Sequence, residues 1–302
     1  MGDTFVAGRR IRDDGVAGRF YPGLGGDPCP GVLVLHGGGG AGGYEQEYAA
    51  LLAEHGYAAL CVEYFGAPDV PDSLCEIPLE RFDRAARWLL ERDDVSGERV
   101  GVVGFSRGGE AALLTGAQFE TVGAVVAHVP CCYAWPAPSW IDGVKPHSAT
   151  WTIEGEPLPF VDVDRYVDEE EVGDPLTGEP VAATLAVERA PPDELEAATI
   201  PVENVEGPVL LLSGGEDTVW PAAEFADRAL DRLESHDHEW PVEHRHYPDA
   251  GHAIRVPYRF DGEDPHEETH QFGGTNAANA SASADAWNST LRYLADGLHA
   301  TD

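Results

Sequence analysis

The 302-residue chain has one lysine, Lys145, and one methionine, Met1. Its 19 Lys+Arg stand against 54 Asp+Glu, which leaves a formal net charge of −35. It has no basic stripe of the kind that tracks a phosphate backbone, so nucleic acid and anionic lipid are not expected partners. No apolar run reaches the roughly 18 residues that a membrane span needs. The opening MGDTFVAGRRIRDDG has no apolar stretch like that of a secretory signal. The five cysteines, Cys29, Cys61, Cys75, Cys131 and Cys132, are odd in number and form no CxxC. A disulfide framework and a structural zinc site are therefore not expected, and the cytoplasm is the expected compartment.

The chain does have enough apolar residue for a full core, 43% of the total. Its charge lies far beyond the magnitude of about 2–8 that suits a small soluble domain. An acidic, lysine-poor surface repels itself at low salt and is screened at high salt. It resembles the surfaces of proteins from salt-accumulating organisms, and halophilic behaviour is expected.

Apolar runs alternate with amphipathic stretches along most of the chain. A hairpin is expected from Thr4–Arg9 and Val16–Phe20, around Asp13-Asp14-Gly15. A buried parallel strand is expected at Gly31–His36, and further strands at Ala58–Glu63, Val100–Phe105, Val122–Val129, Val209–Ser213 and Val242–Tyr247. Helices are expected at Tyr44–His55, Leu79–Arg92, Arg107–Ala117, Ala222–Leu233 and Ser281–Leu298. This rhythm implies an α/β fold, a mainly parallel central sheet with helices on both faces. Residues 1–302 are read as a single domain. From Pro130 to Thr199 the rhythm stops, and prolines, aromatics and the run Asp168-Glu169-Glu170-Glu171 take over. That segment is read as a lid or cap insertion at 130–199.

Gly104-Phe105-Ser106-Arg107-Gly108 matches G-x-S-x-G between an expected strand and an expected helix, the context of a nucleophile elbow. Ser106 is the candidate nucleophile. His36-Gly37-Gly38-Gly39-Gly40 follows the first buried strand, where backbone N–H groups can approach a carbonyl oxygen. The backbone N–H of Gly38 (or Gly39) is paired with that of Arg107 as the candidate oxyanion hole. His36 itself reads as a structural turn residue. An acid and a base are expected later, in the order Ser, Asp/Glu, His. Gly214-Gly215-Glu216-Asp217 offers Asp217, with Glu216 as fallback, and Asp249-Ala250-Gly251-His252 offers His252.

Other histidines cluster at His236, His238, His244 and His246, and at His266 and His270. No carboxylate or cysteine completes a recognisable ligand set, so no metal and no cofactor is expected. Cys131 and Cys132 read as buried structure, and Tyr133, Trp135, Trp140 and Trp151 as packing within the lid.

Longer stretches carry a resemblance. Glu63-Tyr64-Phe65-Gly66-Ala67-Pro68, Ile77-Pro78-Leu79-Glu80, Val102 through Glu110, Ile200-Pro201-Val202-Glu203, Gly207 through Gly214, and Gly273-Gly274-Thr275 with Asn279 resemble the C-terminal catalytic domain of acyl-CoA thioesterases and bile acid-CoA:amino acid N-acyltransferase. Dienelactone hydrolases share the general plan. The resemblance implies an α/β-hydrolase fold, the triad Ser106, Asp217 and His252, and acyl transfer from a small-molecule acyl thioester through an acyl-enzyme. It also implies that Ser106, in place of the Cys of the acyltransferase branch, favours water as acceptor. The immunoglobulin-like N-terminal domain of animal members is expected to be absent, since about thirty residues precede the first catalytic strand. Arg107, Arg255 and Arg259 are the candidate partners for coenzyme A phosphates. The alternatives are a carboxylesterase or dienelactone-type hydrolase on oxygen esters, and a non-catalytic binding protein on the same scaffold. The chain itself leaves acyl length and oligomeric state open.

Overall fold

Strands that are apolar along their whole length need cover on both sides, and here they obtain it from helices. A computed structural model describes residues 7–25, 27–139, 143–171, 181–257 and 272–298. Its elements begin with β1 (Arg9–Asp13), β2 (Val16–Tyr21), β3 (Cys29–Leu35), α1 (Tyr44–Glu54), β4 (Ala58–Val62), β5 (Ile77–Pro78) and α2 (Glu80–Leu90). They continue with β6 (Val95–Phe105), α3 (Arg107–Gln118), β7 (Val122–His128), β8 (Trp151–Ile153), β9 (Glu156–Pro157), α4 (Val163–Tyr166) and α5 (Val181–Arg189). Next come α6 (Pro192–Ala198), β10 (Val209–Gly214), α7 (Ala222–Ser235), β11 (Val242–Tyr247) and a closing helix, α8 (Asn276–Leu298).

The main sheet has eight strands in the order β1-β2-β4-β3-β6-β7-β10-β11. From β4 to β11 every pairing is parallel, while β1–β2 and β2–β4 are antiparallel. Neighbouring residues on a strand point to opposite faces. Ala124 of β7 meets Gly297 of α8, and the next residue, Val125, meets Gly116 of α3, so the two helices cover opposite faces. Tyr48 of α1 packs edge-on against Trp287, 4.9 Å away, which puts α1 on the α8 side. The core strands are sealed: Val32, Val34, Val102, Val126 and Leu211 have no exposed surface. In α2, Phe82, Ala85, Ala86 and Leu89 are buried at helical spacing. Burying side chains such as Phe82 and Leu89 contributes about 1.5–3 kcal/mol each.

The chain moves from β3 outward to β4 and then returns to β6 on the other side of β3. That reversal is the switch point at which open α/β sheets hold ligands, beyond the C-terminal ends of the strands. Both the glycine loop after β3 and Ser106 after β6 lie there.

Two details differ from the sequence expectation. Among the described residues the first strand runs over Arg9–Asp13, with Asp13 opposite Val16, and residues 4–6 of the expected Thr4–Arg9 strand lie outside them. Asp14 (φ 44°) and Gly15 (φ 75°) form a two-residue hairpin loop, which fixes that register. Residues 130–199 also hold more order than their composition suggested. A small sheet, β5-β8-β9, joins residues after β4 to this insertion, and α4, α5 and α6 follow.

Candidate active site

The elbow is built by close approach. Ser106 has φ 54° and ψ −118°, a conformation that side chains rarely adopt, and its N–H donates to the His128 carbonyl at 2.9 Å. A Cβ on Gly104 would collide with the Gly108 carbonyl, and one on Gly108 with the carbonyls of Leu35 and His36. Glycine at both positions lets β6, β3 and the start of α3 meet. Ser106 thus occupies the N-cap of α3, whose unpaired N–H groups carry partial positive charge. Gly38 lies across from Arg107: a Cβ there would sit 3.4 Å from the Arg107 Cγ.

Asp217 and His252 meet from separate loops. His252 Nδ1–H donates to Asp217 Oδ2 at 2.7 Å, and both side chains are buried. The other carboxylate oxygen accepts the N–H groups of Val219 (2.8 Å) and Trp220 (3.3 Å). Glu216 is exposed, and its backbone N–H donates to the Ala250 carbonyl at 2.9 Å. The His252 loop is held from several sides. Asn279 Oδ1 accepts the Gly251 N–H at 2.7 Å, and His252 N–H donates to the Phe272 carbonyl at 2.8 Å. Gly274 (φ 70°) approaches Gly251 so closely that a Cβ would strike its nitrogen, which gives the Gly273-Gly274 and Asn279 motif a physical role. Beneath, His128 Nδ1–H donates to the Ile254 carbonyl at 3.1 Å. Burial drives the His128 pKa down to about 3, so that ring is neutral.

Ser106 and His252 line one cavity of about 870 Å³. Its walls include Gly37 to Gly43, Phe105, Arg107, Trp135 to Ser139, Val219, Trp220, Ile254 and Phe272. The insertion contributes further through Val163, Asp164, Ala182 and Ala183. Tyr133 instead faces α7, where its hydroxyl accepts a bond from Arg228 at 2.9 Å. Trp151 is buried against Tyr64 and Phe82. Cys131 and Cys132 are buried, and Cys131 Sγ accepts the Trp135 indole N–H at 2.6 Å. His36 is buried, stacked on Tyr64 at 4.0 Å, with its pKa lowered to about 4 by burial. Trp140, Arg259, His266 and His270 lie outside the described residues.

Two functional-looking acids were not singled out from sequence. Glu110 is fully buried one turn into α3. Its carboxylate pairs with Arg107 at 2.9 Å and accepts the Trp135 N–H (3.0 Å) and the Trp151 indole N–H (2.6 Å). Burial pushes its pKa up, and the Arg107 charge offsets this only in part. Arg107 also donates to the Trp135 and Pro136 carbonyls and to Thr150. Its guanidinium therefore fastens the insertion to the elbow and is not free for a phosphate, contrary to the sequence expectation. Glu45, also buried, accepts the N–H groups of Gly42 and Gly43 at 2.7 Å each and so fixes the glycine loop. For Glu110 the available signal was an acid followed by the apolar stretch Ala111 to Leu114, and Glu45, beside Gln46 and Glu47, carried no such signal.

A second Ser–His–Asp relay exists. Ser213 Oγ–H donates to His244 Nε2 at 2.6 Å, and His244 Nδ1–H donates to Asp227 at 2.7 Å. Ser213 has no exposed surface, so this relay ties β10 and β11 to α7. A further cavity, about 880 Å³, is lined by Trp88 and by charged residues of the β1–β2 turn, α2 and the segment after it, with no serine, cysteine or histidine among its described lining.

The family described as BAAT / Acyl-CoA thioester hydrolase C terminal matches residues 77–300. The chain belongs to this family. Human acyl-coenzyme A thioesterase 1 is 31% identical over 268 residues, covering 86% of this chain and 58% of that protein. Mouse acyl-coenzyme A amino acid N-acyltransferase 1 is 27% identical over 293 residues, covering 96% and 65%. The chain thus spans less than two thirds of these relatives. Among solved structures, a dienelactone hydrolase-like promiscuous phosphotriesterase from metagenomic libraries superposes with a TM-score of 0.58 at 18% identity, covering 97% of this chain and 98% of that one. A Mycobacterium tuberculosis puromycin-hydrolyzing peptidase gives 0.62 at 14% identity, covering 99% and 40%. These likenesses establish the α/β-hydrolase fold.

Proposed function

We propose that this family member is a serine hydrolase that cleaves acyl thioesters, with acyl-CoA as the substrate class. The observation that carries the reading is the Asp217–His252 hydrogen bond at a cavity that also holds the strained Ser106. His252 Nε2 takes the Ser106 proton as Oγ attacks the thioester carbonyl carbon. The backbone N–H groups of Gly38 and Arg107 hold the oxyanion. Collapse breaks the C–S bond, and the thiolate leaves with the proton from His252. Water, deprotonated by His252, then attacks the acyl-Ser106 ester and releases the acid. Asp217 keeps the imidazole proton on Nδ1 and balances the imidazolium charge. The apolar insertion residues, Trp135 to Pro138, Ala182 and Ala183, act as a lid that encloses the acyl chain and limits water. The acidic, lysine-poor composition fits a cytoplasmic enzyme of a salt-accumulating cell, acting on a small molecule.

The test is a rate panel of acyl-CoA thioesters against matched oxygen esters of equal chain length. Higher kcat/KM on the thioesters supports the proposal. Turnover confined to the oxygen esters points instead to a carboxylesterase or dienelactone-type hydrolase, and absence of both to a binding protein.

A further inference from the structure

Among the described residues that line the cavity, four carry acidic or guanidinium side chains: Glu45, Arg107, Asp164 and Arg255. Three are accounted for. Glu45 holds the glycine loop, Arg107 sits on Glu110, and Asp164 accepts the Ser139 hydroxyl at 3.1 Å. Arg255 differs. Its guanidinium lies 4.4 Å from the Tyr44 ring centroid and 5.4 Å from that of Phe272. Its backbone N–H is fixed to Ser283 Oγ at 3.0 Å. Among the described residues its guanidinium makes no hydrogen bond and no ion pair. Arg12, Arg165, Arg232 and Arg245, by contrast, each sit on a carboxylate.

A cation that pairs with no carboxylate among the described residues, in a chain with 54 acids and 19 basic residues, is notable for its position. The surrounding field repels anions, so an anionic ligand needs a local cation that the chain's own carboxylates have not claimed. Stacking on two rings lowers the entropy lost when the planar fork engages an anion. Arg255 is three residues after His252 and lines the same cavity as Ser106. A guanidinium that lines this cavity is placed to meet a group of the same ligand whose carbonyl Ser106 would attack.

We propose that Arg255 is the anion-recognition residue of this cavity and binds an anionic group of the substrate. The shared chemistry is a guanidinium–oxyanion pair, and its two sources are a phosphate of the coenzyme A leaving group or the terminal carboxylate of a dicarboxylic acyl chain. This rests on the thioesterase reading above. The test uses wild type, Arg255→Met and Arg255→Lys on four thioesters: butyryl and glutaryl, each on coenzyme A and on N-acetylcysteamine. Charge-assisted hydrogen bonds of this kind change affinity by about 10–100-fold. Arg255→Met should raise KM at least about tenfold more on the anionic member of a pair than on the neutral one, with Arg255→Lys recovering part of the loss. Selectivity along the coenzyme A axis identifies the phosphate, and along the glutaryl axis the carboxylate. Equal losses on all four substrates would overturn the proposal, since they would mark Arg255 as packing for Tyr44 and Phe272. If wild type cleaves no thioester, the thioesterase reading fails by itself. Calorimetric titration of coenzyme A and of glutarate into Ser106→Ala, with and without Arg255→Met, then decides. At least tenfold weaker binding of either ligand in the double variant supports Arg255, and equal or undetectable binding in both refutes it.

Discussion

Replacing Asp217 by Asn keeps the shape of the side chain and removes its charge, and the neighbouring donors decide which way the amide turns. Oδ1 accepts two backbone N–H groups, from Val219 at 2.8 Å and Trp220 at 3.3 Å. An NH2 group there would face two donors, so the amide oxygen takes that side. The NH2 group then faces His252 Nδ1, now 2.7 Å from Oδ2. It can only donate, so Nδ1 must be the bare nitrogen and the proton moves to Nε2, where Ser106 needs an acceptor. The opposite rotamer rescues the tautomer but leaves two buried N–H groups unmet, at about 1–3 kcal/mol each. Neither rotamer supplies the negative charge that balances the imidazolium. A loss of about 10⁴-fold in kcat follows, as in other triads whose acid becomes an amide. That is about 5.5 kcal/mol at 1.36 kcal/mol per decade. The assay is p-nitrophenyl butyrate hydrolysis by Asp217→Asn and by Glu216→Gln, with circular dichroism to verify folding. Glu216→Gln should stay within about threefold of wild type, since its exposed side chain has no part in orienting His252. A folded Asp217→Asn protein that loses less than tenfold, beside a Glu216→Gln protein that loses more, would refute the reasoning.

Glu110→Gln leaves the Arg107 charge buried against a neutral amide, and should cost about 3–5 kcal/mol in chemical denaturation. Adding Arg107→Met should cost less than the sum of the two single changes, and strict additivity would refute the coupling. The pH dependence has a defined sign. Burial lowers the pKa of His36 to about 4 and of His128 to about 3, both below the ordinary value of 6.5. Their contribution to stability is therefore complete above pH 6.5 and is lost as pH falls toward 4 and then 3. At two protons the slope approaches about 2.7 kcal/mol per pH unit. Urea midpoints at pH 7, 6, 5 and 4.5 should fall accordingly, and a flat series down to pH 5 would contradict it. Salt should stabilise the fold. Repulsion within a net charge of −35 reaches about 10 Å at 0.1 M and about 3 Å at 1 M. The exposed ion pairs weakened by the same screening are worth at most about 1 kcal/mol each. Melting temperature should rise across a KCl series, and a fall would remove the halophile reading.

The parallel core was legible because it is apolar without interruption. Gly31–His36 and Cys29–Leu35 describe the same strand, as do Val209–Ser213 and Val209–Gly214, and the helices between them start and end within a few residues of expectation. The places of the candidates Ser106 and Asp217 were legible because each follows such a strand, whereas His252 follows β11, a half-buried Val-Glu-His-Arg-His-Tyr strand that its parallel pairing with β10 brings to the same sheet edge. The insertion was not. Its strands have two or three residues, too short for periodicity, and β8 pairs with β5 across more than seventy positions of chain. Ion-pair partners were equally hidden. Arg107 looked available for a phosphate because its partner Glu110, one helical turn away, reads as an ordinary exposed (i, i+3) neighbour until Trp135 and Trp151 close over it. The choice between Asp217 and Glu216 depended on a one-residue offset in a loop, which periodicity does not report.

The most direct measurement traps the acyl-enzyme. Wild type is mixed with butyryl-CoA, quenched in acid within the first turnovers, digested and analysed by mass spectrometry. The butyryl group should appear on the peptide containing Ser106 and be missing from Ser106→Ala, whose kcat should fall by up to about 10⁶-fold. A butyryl adduct on Cys131 or Cys132, or sustained turnover by folded Ser106→Ala, would contradict a serine nucleophile at this elbow.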